Sequence, residues 1–170
     1  MTLELVCWAI SVAIYIGFSI VFAIIKFGVP PSVSSLYRKL DKIGWPPWLY
    51  SLAMMYSAMF LAVAGGTNTM GWAAMFLVVT GIAGDTSQGK VTEWLHIVGA
   101  WGCMALGLLA LWVDYGYWIL SIFGLALILA IWIPRLKNKT YWIENAAYFV
   151  VAFGILNHLI YLDIFHGWLV

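Results

Sequence analysis

Charge is what this sequence has least of. Of 170 residues only 9% are charged, eight of them basic and seven acidic, while 65% are hydrophobic. A soluble domain devotes roughly a quarter of its residues to charge, and one of this size could not hide so much apolar surface in a core. The solvent must be lipid. A net charge of +1 provides no basic face for a nucleic acid. Two cysteines, Cys7 and Cys103, without CxxC spacing, exclude a disulfide framework or a thiolate metal centre. No polar stretch is long enough for a second domain, so the whole of 1–170 is expected to be a single transmembrane helical domain. The N-terminal apolar run has no basic residues before it and continues past about twenty residues, which reads as a retained span.

What the sequence does have is a set of six apolar runs, at about 3–25, 48–65, 69–84, 93–113, 117–133 and 140–162. Cut there, every basic residue falls on one side. Lys26, Arg38, Lys39 and Lys42 follow the first run, Lys90 follows the third, and Arg135, Lys137 and Lys139 follow the fifth. The positive-inside rule then predicts an all-α, six-span bundle with both termini outside. Glu4, Asp114 and Asp163 fall on the other face. The third run is short for a span of about 20 residues. Removing it, however, would divide the basic residues evenly between the two sides and abolish the bias.

Between the first two runs, Val33, Leu36, Tyr37, Leu40 and Ile43 recur at helical spacing opposite Arg38, Lys39, Asp41 and Lys42. This predicts an amphipathic helix over 32–43, capped by Ser32, stopped at Gly44, and lying in the headgroup plane, with docking against the bundle's own cytoplasmic end as the alternative. The prolines of the following Trp45-Pro46-Pro47-Trp48 suit a helix start. Thr92 is the expected cap of the fourth span, and Pro134 the stop of the fifth. Small residues recur every four positions at Ala58, Ala62 and Gly66, and again at Gly99, Cys103 and Gly107. Both stripes predict close helix contact, and the second predicts self-association into a homo-oligomer or a larger membrane complex. Most of the eleven tryptophans, among them Trp94, Trp118, Trp132, Trp142 and Trp168, sit near run ends, as an interfacial belt requires.

Candidate chemistry is sparse. The loop 84–90 approaches a phosphate-binding loop, but Val91 stands where magnesium needs a hydroxyl, and no strand precedes it. Asp85, Glu93, His96 and Glu144 all fall near the cytoplasmic side. Ionisable side chains there could hold a metal, a proton or a ligand. The plainer reading makes the glutamates helix N-terminal charges and His96 a hydrogen-bonded packing residue. His158, with Asp163 and His166, belongs to the opposite face, about 27 Å along the last helix from its start at 1.5 Å per residue.

Tyr37 through Trp48, Met55 through Met59, Leu156-Asn157 and His166-Gly167-Trp168 resemble the tryptophan-rich translocator (TspO/peripheral benzodiazepine receptor) family. That family's five spans and Asn/Trp-rich third span have no counterpart here. Gly28 through Ser34 and Leu95 through Ala100 resemble small uncharacterised multi-span proteins of gut bacteria and their phages, which implies a bacterial inner membrane and no particular activity. The composition favours a non-enzymatic membrane protein that binds a hydrophobic or lipid ligand, or that serves a membrane assembly. The alternative is a small transporter or intramembrane enzyme built on the Asp85/Glu93/His96/Glu144 group.

Overall fold

The computed structural model describes residues 2–85, 90–133 and 137–166, with side chains described over 2–82, 94–133 and 137–162. The described residues form seven helices: α1 (Leu3–Phe27), α2 (Leu36–Lys42), α3 (Trp48–Gly65), α4 (Asn68–Asp85), α5 (Lys90–Val113), α6 (Trp118–Trp132) and α7 (Lys139–His166). Four segments are long and apolar enough to cross a membrane: Leu3–Phe27, Trp48–Gly65, Trp94–Val113 and Lys139–Leu162. Asn68–Ile82 and Trp118–Trp132 are apolar but shorter. Large apolar side chains cover the outside, including Ile25, Trp72, Trp94, Trp112 and Ile119. Only lipid or protein makes such a surface tolerable.

Helix α1 packs on α3, α3 on α4, α4 on α5, α5 on α7, and α7 returns to α1. These five helices close a ring, and α6 lies against α5 and α7. In α1, Cys7, Ser11, Tyr15, Ser19 and Ala23 are all buried at four-residue intervals. A four-residue step overshoots one α-helical turn of 3.6 residues by about 40°, which would carry the stripe off its face. Between Ile16 and Phe22 the backbone adopts π-helical geometry. Its wider turn sets the rotation back and keeps Ser19 and Ala23 pointing inward.

The segment after α1 departs from expectation. Helix α2 covers Leu36–Lys42, shorter than the expected 32–43. Ser32 does not cap it; its Oγ accepts from Ser35 N at 3.1 Å in the turn before. Gly44, at φ 73°, does end it: Gly44 N donates to Asp41 O and Trp45 N to Leu40 O, both at 3.0 Å. Its apolar face is covered by the protein itself: Val33, Leu36 and Leu40 are buried against the bundle.

The preceding stretch, 28–33, is stitched to the start of α7. Asn138 Nδ2 donates to Val29 O at 2.7 Å, and Tyr141 N to Pro31 O at 3.2 Å. The latter satisfies one of the N–H groups that every helix N-terminus leaves without an intrahelical acceptor. At the other end of the bundle, Tyr115 Oη donates to Gly65 O at 2.6 Å and Thr69 Oγ1 to Asp114 Oδ1 at 3.1 Å. Burial pushes the Tyr115 hydroxyl up to about 12, so it remains a donor.

The start of α5 is also a correction. The helix begins at Lys90, which puts Thr92 inside it and not at its cap. Pro134, the expected stop of the fifth span, lies outside the described residues.

Candidate functional site

Inside the ring of five helices lies a cavity of about 70 Å³, lined almost wholly by apolar side chains. A single water needs only about 15 Å³ of such space. Along α7 the lining runs from Glu144 to Val151, roughly 10 Å at 1.5 Å per residue. The two ends differ in chemistry. Glu144, Tyr50 and Val33 stand where α7 begins, and Leu61, Met70, Gly107 and Val151 stand toward the other end.

Glu144 is held by the stretch that closes this end. Its Oε2 accepts from Val33 N at 2.6 Å, and Val33 itself lines the cavity. Pro30 and Pro31 fix the approach, since proline restricts both its own φ and its predecessor. Among the described residues, Glu144 is the one carboxylate lining the cavity, and no Lys, Arg or His lines it. Tyr15 and Tyr50 line the same cavity.

Behind one wall, Tyr148 joins a cluster of hydroxyls. Ser11 Oγ donates to Ser57 O at 2.8 Å, and the Tyr148 hydroxyl meets Ser11 Oγ at 2.8 Å and Ser57 Oγ at 3.1 Å. Tyr148 also stacks on Tyr15, with ring centroids 3.6 Å apart and planes 5° from parallel. Just beyond, Tyr141 Oη donates to Ser19 O at 2.8 Å. These residues were not singled out from the sequence. The signal was present as the four-residue spacing of Cys7, Ser11, Tyr15 and Ser19.

The structure does not bring His96 to Glu144. His96 Nδ1 donates to Thr80 O at 3.1 Å, bridging α5 to α4, and His96 is not among the lining residues. The side chains of Asp85 and Glu93 lie outside the described residues, as do those of Asp163 and His166. His158 stacks against Tyr115, with centroids 4.7 Å apart. Among the described residues no three His, Cys, Asp or Glu side chains converge as a metal site.

The small-residue stripes face the bundle's own interior. A Cβ on Gly99 would come within 2.5 Å of Thr80 Oγ1 and 3.0 Å of the α4 backbone, and one on Gly107 within 2.9 Å of Val151 on α7. Cys103, between them, lines the cavity. That stripe therefore seats α4 and α7 within the bundle. Ala58 is fully buried and Ala62 half-buried. Gly66 is different: it is exposed at φ 65° and stops α3. The close approach expected of it belongs to Gly65, where a Cβ would lie 2.5 Å from Met70.

No family model matches the chain, and neither a curated protein nor a solved structure does.

Proposed function

We propose that this chain is a non-enzymatic, six-span integral membrane protein, both termini outside, whose central cavity receives a small, largely hydrophobic ligand. The cavity carries the reading: an apolar space between five helices, covered at one end by a stitched loop and containing one fixed carboxylate. Pockets for small molecules have this composition, apolar walls with a few placed polar groups. The one-sided basic residues support the orientation, with Lys26, Lys90 and Lys137 on the cytoplasmic side. The apolar outer surface supports α4 and α6 as spans despite their length, because local bilayer thinning accommodates short helices.

The reading is tested on the gently extracted protein by native mass spectrometry. Wild type should carry a small molecule that Ala147→Leu lacks, since Ala147 lines the cavity and a leucine there would fill it. Identical bound species in both would remove the cavity as the binding site. Orientation is tested with a single thiol at Lys137→Cys, after Cys7 and Cys103 are replaced by alanine. Labelling from the cytoplasmic side alone is expected. Labelling from the external side alone would reverse the topology.

A further inference from the structure

The cavity has a polarity along its length, and that polarity selects a class of ligand. We propose that it takes a short-chain alkylammonium ion, with the charged head at Glu144 and the apolar body toward Leu61, Met70 and Val151, because about 70 Å³ is under half of the roughly 150 Å³ that admits benzene. This inference rests on the ligand-binding reading above and names the chemistry of the ligand.

The argument runs by charge and by coordination. An anion would meet the Glu144 carboxylate and, among the described residues, no lining cation to offset it. A zwitterion would leave its acidic group without a partner for the same reason. Calcium wants six to eight oxygen ligands and magnesium near-ideal octahedral geometry; the described lining supplies one carboxylate among apolar walls. An organic ammonium ion asks for less. It has three N–H donors to place and carries its own apolar surface into the rest of the space.

The local geometry fits that head group. Val33 N–H occupies Oε2 of Glu144, which leaves Oε1 to accept from the ligand. Tyr15 and Tyr50 line the same space as this carboxylate. Their rings supply electron-rich faces and their hydroxyls supply acceptors, both of which favour a cation. A carboxylate enclosed by apolar walls is costly to keep charged without a counter-ion, and the arriving ammonium provides one. Beyond the head, Met70 and Leu61 adapt to a short alkyl body.

The test compares propylammonium with 1-propanol, matched in shape and differing in charge, on the full chain in nanodiscs by isothermal titration. Wild type should bind propylammonium about 10-fold or more tighter than 1-propanol, a ratio worth about 1.4 kcal/mol. Glu144→Gln keeps an acceptor for Val33 and should erase that preference while leaving the alcohol's affinity in place. Ala147→Leu should abolish both. Equal affinity of the two probes in wild type, or a preference that survives Glu144→Gln, overturns the cation inference and leaves hydrophobic binding standing. Should Glu144→Gln fail to fold, the wild-type ratio together with the Ala147→Leu result decides the matter. Binding of neither probe to wild type overturns this inference, and identical native mass spectra for wild type and Ala147→Leu would overturn the cavity reading itself.

Discussion

The two sides of this bundle are joined by opposite means. Where α1, α3 and α7 meet, the contacts are hydroxyls and aromatic rings: Ser11, Ser57, Tyr148, Tyr15 and Tyr141. Where α4 meets α5, they are glycines under side chains, Gly99 under Thr80 and Gly102 under Phe76. In lipid no hydrophobic force draws helices together, so close packing and interhelical hydrogen bonds must do it. The glycine side places backbones in contact and leaves little space. The hydroxyl side uses larger groups that hold helices apart as well as together. The cavity lies beside it, with Tyr15 and Tyr148 in its wall.

The largest effect should come from the glycine side. Gly99→Ala drives a methyl group against the carbonyl of Phe76 and the amide of Thr80, both at 3.0 Å and both backbone. Neither can move without displacing α4, so a loss of about 2–3 kcal/mol is expected in reversible unfolding within nanodiscs. Gly71→Ala on the same helix pair is the contrast. A Cβ there meets nothing within 4 Å, and helix propensity favours alanine by up to about 1 kcal/mol. If both variants were equally unstable, the steric account of this side would be broken.

A smaller effect is expected on the hydroxyl side. Tyr148→Phe removes two hydrogen bonds and keeps the ring stack on Tyr15. Interhelical hydrogen bonds in membranes are worth about 0.6 kcal/mol on average, so a loss of about 1 kcal/mol should appear in the same unfolding measurement. A Ser11→Ala/Tyr148→Phe double-mutant cycle isolates the coupling, and strictly additive losses would show that the two hydroxyls do not act together.

The smallest effect separates the two readings of His96. As a bridge to Thr80 O, it should cost about 0.5–1 kcal/mol when replaced by alanine. Propylammonium affinity should stay at the wild-type value, because His96 does not line the cavity. Lost binding at unchanged stability would return His96 to the functional site.

The elements differ in how far the sequence disclosed them. The ends of α2 and α3 were legible at Gly44 and in the turn after Gly65, because residues at positive φ are punctuation that a chain carries locally. The docking of α2 was not, since an apolar stripe of Val33, Leu36 and Leu40 looks the same whether lipid or protein will cover it. Glu144 was visible as a carboxylate at the start of a span. Its partner was not, because Val33 lies 111 positions away and contributes a backbone N–H that any residue would offer. The inward stripe of α1 was obscured by period: four-residue spacing drifts on a regular α-helix, and only the π-helical turn corrects it.

Composition and local punctuation by themselves determined that this chain is helical, apolar on its outside and segmented into six runs, because lipid compatibility and helix termination are properties of consecutive residues. Tertiary structure alone decided which polar groups meet, that Glu144 is separated from His96, and that a cavity remains between five helices. Those outcomes depend on how closely backbones approach one another, and that distance is set jointly by residues from different helices.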